Sequence, residues 1–530
     1  MENKIIAIIG AGEGALPIIT KAKEMGVKTL AFARNDSLAK DMVDIFIEEN
    51  SFDIDFMVGK CREYNVNGII PSSELSTEVA AKVAHELGLP GNEVEHGFGG
   101  KNKYFMRTKV AQLSSVKQPA FQLYHEGLEP IFPVVVKAVD ACGKRGVGIA
   151  YNREELENAV KQAKENSSDG SALIEEYLKG GQEYSVECLS FGKGKHQVIQ
   201  YTEKESAGPP HFVETAHHQP ANLSDTMKAR VDKAAWDILE VLGLNCGMAH
   251  LEIKIIDNDI YFIEVGARGG GDHISDVLTP LSTGFDYYKA AIECHLGSYQ
   301  PTQVTNKACS GIYFHSKQNE CLKPLFEAAR AAEWCVKNTV VKEEFDEAEG
   351  NVGTSNSGYI IYSADHRISL RDCLRLFNAD VINNRANTYR LVKDYCISIN
   401  NYNPDSFDSW FNKINGIGNI IAITYSKIIA FLLLYCTQKD IKDGYICNVY
   451  VLDQYRGLGL SVRLLDKAVD VCKSLGFKSV SLHVSEDNEK AIYIYERYGF
   501  EKTGGIKSVD NDKQLEMRLF LHNKNLRQIN

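Results

Sequence analysis

The sequence predicts an α/β protein of several domains, and three stretches carry that expectation. Apolar strands alternate with helices through the first 95 residues. Gly247 to Ile274, GMAHLEIKIIDNDIYFIEVGARGGGDHI, reads as two strands about a polar turn, followed by an arginine and a glycine run. Val451 to Leu475 reads as a strand end, a glycine turn and an amphipathic helix whose Leu460, Leu464, Ala468, Val471 and Leu475 share one face. At 530 residues the chain exceeds what one core normally serves, so two to four domains are expected.

Composition narrows the function classes. An apolar content of 44% with 24% charged residues is ordinary for soluble globular protein. A net charge of −11 argues against broad binding to nucleic acid or to an anionic membrane and favours small-molecule substrates. The 13 cysteines show no C-x-x-C pair, which suits a reducing compartment and offers neither zinc-finger spacing nor a disulfide framework. Met-Glu-Asn-Lys runs straight into a strand, Ile5 to Ile9, too short for a signal peptide, so the cytoplasm is expected. The apolar run Asn419 to Thr437 is broken by Tyr425-Ser426-Lys427, and two strands joined by a tight polar turn fit it better than a membrane span.

Residues 1–95 read as an open, Rossmann-like α/β unit. Gly10-Ala-Gly-Glu-Gly-Ala15 has the form G-x-G-x-x-A, but Arg34 stands near the end of the second strand, where a nicotinamide dinucleotide would want an acid. Pro71-Ser72-Ser73-Glu74 lies at the carboxyl end of a strand, where such sheets bind ligands. Glu74 is a candidate to hold a substrate amino group, or is simply an acid in the first turn of the next helix.

Residues 96–300 hold charge where nucleotide chemistry would use it. Lys137 lies on the apolar strand Pro133 to Ala138 and wants a partner. The following loop, Ala141 to Gly148, has glycines to lie over phosphates and, in Lys144 and Arg145 before Gly146, two cations to neutralise them. No G-x-x-x-x-G-K-[ST] occurs. In the hairpin, a three-residue turn at Asp257-Asn258-Asp259 sets Ile256 against Ile260 and Glu252 directly opposite Glu264; a two-residue turn would put the two acids on opposite faces. If they face one another, a hydrated Mg²⁺ shared with substrate phosphates is the usual cation between them. Arg268 and Gly269-Gly270-Gly271 then offer a bidentate cation beside backbone that ligands can approach closely.

In this order the residues resemble the ATP-grasp superfamily, particularly its carboxylate-amine ligases of the L-amino-acid ligase type. The resemblance implies Glu252 and Glu264 as ligands of Mg²⁺ or Mn²⁺, Arg268 as the substrate arginine, and Lys103 and Lys137 as phosphate lysines. It also implies Glu175 at the adenine amino group, Glu176 among the ATP-binding residues, the backbone near Leu178 at the adenine ring edge, and Glu183 at the ribose. Many relatives have Asn two residues after the second acid, whereas this chain has Gly266, which leaves metal number and geometry open. His217-His218 looks like a metal pair, yet neighbours on a strand point to opposite faces, so the two are substrate-loop residues at most. Residues 301–377 look like the subdomain that closes such ligases.

Residues 378–530 change character. Gln454 to Gly459 has the form Q-x-x-G-x-G, and a strand at Ser479 to Val484 precedes Asn488 to Phe500. Arg456 and the amides of Gly457, Leu458, Gly459, Leu460 and Ser461 would cradle a pyrophosphate. Together with Val451 and Asn488 these motifs resemble the GNAT acyl-CoA N-acyltransferases, which implies acetyl-CoA as cosubstrate and Tyr495 as the acid that protonates the departing thiolate. The general base that this family often draws from the preceding strand is missing from Tyr445 to Val451. The expected protein is a ligase that forms an amide through an acyl-phosphate, fused to an acyltransferase, with small carboxylate and amine substrates. Its rivals are a ligase with a silent acyl-CoA-binding module, a carboxylase and, last, a dehydrogenase.

Overall fold

The computed structural model describes residues 4–95, 97–143, 145–208, 213–316, 322–339, 358–370, 377–382, 417–425, 427–509 and 512–521, with single positions at 319, 389, 393, 407–409 and 411–412. The chain forms two units, one of residues 1–318 with 332–368, the other of 319–331 with 369–530. Residues 319–331 and 369–377 thus group with the C-terminal unit, which the sequence reading began at 378.

The first sheet is parallel: β1 (Ile5–Ile9), β2 (Lys28–Ala33), β3 (Ile45–Glu48) and β4 (Gly68–Pro71), in the order β3-β2-β1-β4. Helices cover both faces, which is why β1 reads as a continuous apolar run rather than an alternation. Ile6 and Ile8 pack toward Ile18, Ile19 and Ala22, while Ala7 and Ile9 pack toward Met57, Val58 and Val83. The sheet's carboxyl end carries Ser72 to Glu74, pressed so tightly on the first glycine turn that a Cβ on Gly14 would sit 2.1 Å from the Ser72 carbonyl oxygen.

A small antiparallel sheet follows, β5 (Phe121–Leu123), β6 (Val134–Ala138), β7 (Val147–Ala150) and β8 (Ala172–Glu176), ordered β5-β8-β6-β7. Alternation sorts its faces. Val134, Val136 and Ile174 lie under Leu156, Val160 and Ala163 of the helix Arg153–Asn166, which leaves Val135, Lys137 and Glu175 to the other face.

The largest sheet is antiparallel and has eight strands: β9 (Gln182–Phe191), β10 (His196–Ser206), β11 (Glu214–Gln219), β12 (Cys246–Ile256), β13 (Asp259–Gly266), β14 (Cys309–His315), β15 (Cys335–Asn338) and β16 (Gly358–Ala364). Val186, Leu251 and Ile253 pack toward Val231, Ala235 and Ile238 of the helix Asp225–Val241.

The C-terminal unit has β17 (Ala379–Val381), β18 (Gly418–Tyr425), β19 (Lys427–Gln438), β20 (Asp443–Val451), β21 (Ser479–Ser485), β22 (Glu501–Val509) and β23 (Asp512–Phe520), in the order β17-β18-β19-β20-β21-β23-β22. The apolar run at Asn419 to Thr437 is two paired strands, as its central polar triplet required. No helix among the described residues is long and apolar enough to cross a membrane. The buried face of the helix Leu460–Ser474 comprises Leu460, Leu464, Leu465, Ala468, Val469 and Cys472. Val471 does not join it as expected, and Leu475 lies past the helix end, 57% exposed.

Candidate active site

The central hairpin reaches the expected pairing by an unexpected route. Its turn has two residues, Asp257 and Asn258, both left-handed at φ 49° and 70°, so Ile256 pairs with Asp259 and Ile255 with Ile260. That register alone would send Glu252 and Glu264 to opposite faces. A β-bulge intervenes: Ile253 pairs with Phe262, Ile263 is the extra residue, and Glu252 pairs with Glu264. Ile263 and Glu264 both line the cavity as a result, while Phe262 and Val265 are buried in the core.

The cavity, about 890 Å³, is lined by residues of the small sheet, the large sheet and the turn after β4. Lys103 begins the helix Lys103–Val110 and is 8% exposed. Its Nζ donates to the Ala141 carbonyl at 2.7 Å and lies 3.3 Å from Glu264 Oε2. Burial opposes its charge, but Glu264 and Glu74 outweigh burial and hold its pKa above the usual lysine value. Glu252 Oε1 accepts from Lys204 Nζ at 2.6 Å and faces His250 Nε2 at 3.4 Å. Burial would protonate Glu252, yet Lys204 and then His250 keep its pKa well below the carboxylate range. Among the described residues the second oxygens, Glu252 Oε2 and Glu264 Oε1, have no hydrogen-bond partner. Two opposed carboxylates with an oxygen each to spare fit a hard divalent cation.

Glu175, the candidate for the adenine amino group, lines the cavity and is paired with two cations. Its Oε1 accepts from Arg107 Nε and its Oε2 from Lys137 Nζ, each at 2.7 Å, in a triad that leaves Glu175 3% exposed. Burial alone would raise its pKa, but Lys137 and Arg107 bring it to about 2. Its carboxylate bridges Arg107 and Lys137, and both Glu175 and Lys137 line the cavity. Glu176 Oε2 accepts from the Ala120 amide at 3.3 Å. Leu178 offers its carbonyl to Lys254 Nζ at 3.1 Å, and Glu183 Oε1 lies 3.5 Å from the same lysine. Gly180 and Gly181 turn this hinge at φ 75° and 71°, and a Cβ on Gly181 would meet the Ile255 carbonyl at 2.5 Å. In the phosphate loop Gly146 has φ 67°, and Arg145 Nε donates to the Cys142 carbonyl at 3.2 Å. Lys144 lies outside the described residues.

The glycine run after Arg268 is demanded by space. A Cβ on Gly270 would stand 2.7 Å from His250 Nδ1, and one on Gly269 would stand 2.7 Å from Ser275 Oγ. Beneath them Glu187, fully buried, accepts from the Gly270 amide and Ser275 Oγ, both at 3.1 Å, and meets His250 Nδ1 at 2.5 Å. Burial opposes the imidazolium, but Glu187 raises the His250 pKa to about 9. Arg268 donates from Nε and Nη2 to Glu74 Oε2, so the proposed amine anchor and the substrate arginine are paired with each other. Sequence reasoning missed Arg107, Glu187, Lys204, His250 and Lys254. For the last four the only local signal is a charged or titratable residue on a largely apolar or alternating strand, and for Arg107 a cation on the buried face of the helix Lys103–Val110, since their partners are distant in sequence.

In the C-terminal unit β20 ends at Val451 and a short 3₁₀ turn, Asp453–Tyr455, leads to Arg456, whose Nη2 pairs with Asp453 Oδ1 at 2.7 Å and whose Nε donates to the Val451 carbonyl at 3.3 Å. Gly457 and Gly459 are left-handed at φ 81° and 75°, and Gly459 caps the helix at Leu460. Leu458 and Leu460 bury their side chains, so only their amides, with those of Gly457, Gly459 and Ser461, are available to an anion. Asn488 caps the helix Glu489–Tyr498 by accepting from the Ala491 amide at 3.2 Å. Tyr495 sits on that helix beside Phe500, and burial pushes its pKa up to about 12. β20 begins earlier than expected and does contain an acid, but Asp443 accepts from Ser479 Oγ at 2.5 Å and Ser481 Oγ at 2.7 Å and is buried.

Residues 131–276 match the model of the ATP-grasp domain, and residues 386–500 match that of the acetyltransferase (GNAT) family. The chain is 23% identical over 327 residues to the formate-dependent phosphoribosylglycinamide formyltransferase of Wolinella succinogenes, a match covering 59% of this chain and 82% of that protein. It is 27% identical over 178 residues to the arginine-specific large chain of chloroplastic carbamoyl phosphate synthase of Arabidopsis thaliana, which covers 33% of this chain and 15% of that one. Among solved structures it resembles the L-amino acid ligase from Bacillus licheniformis, with TM-score 0.57, 23% identity, and coverage of 71% of this chain and 96% of that chain. The phosphoribosylglycinamide synthetase from Anaerococcus prevotii gives a TM-score of 0.53 at 19% identity, covering 70% and 97%. At such identities the structural likeness is one of fold. The chain therefore joins an ATP-grasp domain to a C-terminal domain of the acetyltransferase (GNAT) family, both of them enzyme families.

Proposed function

We propose that the chain is a bifunctional enzyme, an ATP-dependent carboxylate-amine ligase fused to an acyl-CoA-dependent N-acyltransferase, with acetyl-CoA as the acyl donor. The observation that carries the ligase half is the opposition of Glu252 and Glu264 in a cavity also lined by Lys103, Lys137 and Arg268. Mg²⁺, or Mn²⁺, bound between the two acids would draw charge from the phosphates of ATP. Lys103 and Lys137 hold the phosphates, Lys137 being aimed by Glu175. The Leu178 carbonyl and Glu183 receive the nucleoside. Once a substrate carboxylate is phosphorylated, Arg268 supports the developing charge on the acyl-phosphate while an amine attacks the carbonyl and phosphate departs. Glu74 turns from Arg268 to the substrate amino group as the acid arrives.

In the second half Arg456 and the amides from Gly457 to Ser461 bind the pyrophosphate of acyl-CoA, the amine attacks the thioester, and Tyr495 gives its proton to the departing thiolate. A module that binds acyl-CoA without turning it over is the second reading. It is favoured by the buried, doubly hydrogen-bonded state of Asp443, the one acid on β20.

The test is a screen of Mg²⁺-dependent ATP hydrolysis against amino acids, singly and in pairs, with CoA release from acetyl-CoA followed over a panel of amines. Amine-dependent ADP formation that disappears in Glu264→Gln is expected. Turnover unchanged by that substitution would remove the ligase reading, and tight acetyl-CoA binding without transfer to any amine would favour the silent module.

A further inference from the structure

β11 carries a second irregularity. In its pairing with β10, His217 faces Lys204 and Ala216 faces Glu205, but Glu214 faces Ser206, so Thr215 is an extra residue. On a regular strand Glu214 and His217 would point to opposite faces; the bulge brings both to the cavity wall. There they meet Asp272, which follows the glycine run at φ 52°. The neighbouring His218 takes the other face, with Nδ1 2.8 Å from the Tyr362 hydroxyl and Nε2 3.2 Å from Glu205 Oε1, so the adjacent histidines form no metal pair.

His217 is fully buried, and among the described residues its ring makes one long hydrogen bond, through Nε2 to Asp272. Nδ1 has no partner, and Nε2 lies 3.5 Å from Asp272 Oδ2 and 3.9 Å from Glu214 Oε2. A neutral hydrogen bond would close such a gap to about 2.7–3.2 Å. Ligand atoms held tetrahedrally at about 2.0–2.2 Å from one ion stand roughly 3.4 Å apart. The three ligand atoms lie within 4.8 Å of one another, so their spacing suits an ion better than direct contact. The ring is held by edge contact with Phe314, at 5.3 Å between centroids. Lys204 Nζ pairs with the other oxygen of Glu214, Oε1, at 2.8 Å.

We propose that Glu214, His217 and Asp272 form a binding site for a first-row transition ion, Zn²⁺ or Mn²⁺, separate from the Glu252–Glu264 pair. An imidazole with two carboxylates suits these ions, whereas Mg²⁺ prefers an all-oxygen shell. Three protein ligands leave at least one position open to the cavity, the pattern of a catalytic rather than a closed structural site, and a water or a substrate donor atom fills it.

The experiment titrates Zn²⁺ into the metal-free full-length chain in a large excess of Mg²⁺, by calorimetry, with Mn²⁺ binding followed in parallel by electron paramagnetic resonance. One ion per chain is expected. His217→Gln and Asp272→Asn should each weaken it about tenfold or more. Asp272 is at the surface of the cluster, so its variant keeps the test valid if His217→Gln misfolds. Glu264→Gln should retain the ion. Failure of the wild-type chain to hold Zn²⁺, affinity unchanged in Asp272→Asn, or loss of the ion in Glu264→Gln would each overturn the site. MgATP binding by the same samples tests the ligase reading separately, whichever way the zinc titration falls.

Discussion

Arg268 and Glu74 join the turn after β13 to the turn after β4: Arg268 Nε and Nη2 lie 3.1 and 2.6 Å from a single oxygen, Glu74 Oε2. Burial opposes the guanidinium charge, but Glu74 and then Glu264 hold its pKa above the usual arginine value. Both residues lie 194 positions apart in sequence and share one cavity. A planar fork that grips one carboxylate in the absence of substrate is suited to grip another when substrate arrives.

Arg268→Lys keeps the charge and loses the fork. MgATP affinity should stay within about twofold while amide formation falls at least tenfold, a loss of about 1.4 kcal/mol or more in transition-state stabilisation. The comparison is between nucleotide binding by calorimetry and product formation by mass spectrometry. An equal loss of both would move Arg268 to the nucleotide.

Glu175→Gln should destabilise the ATP-grasp half strongly, because it strips the counter-charge from Arg107, 1% exposed, and from Lys137 together. Breaking a buried ion pair by removing one partner costs about 3–5 kcal/mol. Urea unfolding of the full chain, followed through the transition that abolishes MgATP binding, should show a loss of that size; a change below about 1 kcal/mol would mean that the triad carries little of the fold.

His250 gives a pH dependence with a definite sign. Its folded pKa, about 9, lies above the usual histidine value of 6.5, so the imidazolium contributes stability that is fully present below about pH 6.5 and is lost as pH rises through 9. The shift corresponds to something on the order of 3 kcal/mol. The stability gap between the wild type and His250→Gln should therefore be widest at acid to neutral pH and should narrow toward pH 9. A gap constant across that range would show that Glu187 does not hold a charged imidazole.

Tyr495→Phe removes the hydroxyl on the helix Glu489–Tyr498 while keeping the ring against Phe500. Acetyl-CoA binding should change little, and acetyl transfer should fall about a hundredfold if the phenol is the acid. Transfer at the wild-type rate would assign the proton to water.

How much of this was legible in the chain alone is clearest at the two acids. Their facing pair was expected from a three-residue turn, and the structure reaches it with a two-residue turn and an extra residue at Ile263. Turn residues announce themselves locally, because Asp and Asn tolerate positive φ, but a bulge is set by how both strands must lie on the core and on the neighbouring β9. Helix caps, by contrast, are local: Asn488, which the sequence reading named only as an acyl-CoA residue, caps the helix that starts at Glu489 by accepting from the Ala491 amide.

By itself the sequence determined the two enzyme domains, the parallel sheet of the first 71 residues, the glycine turns that need positive φ, and the order of charged motifs along the chain. The two domains came from motifs that resemble known families, whereas the sheet and the glycine turns follow from periodicity and backbone chemistry that act over a few residues. Only the tertiary structure decided which charges are partners. Glu175 takes Arg107 from 68 positions away, and Arg268 takes Glu74 from 194. His250 finds Glu187 because β12 lies against β9, and Glu214 joins His217 because Thr215 bulges. A buried charge accepts whichever opposite charge the sheets bring within hydrogen-bond reach. That choice is made when strands pair across the whole fold, after local chemistry has already had its say.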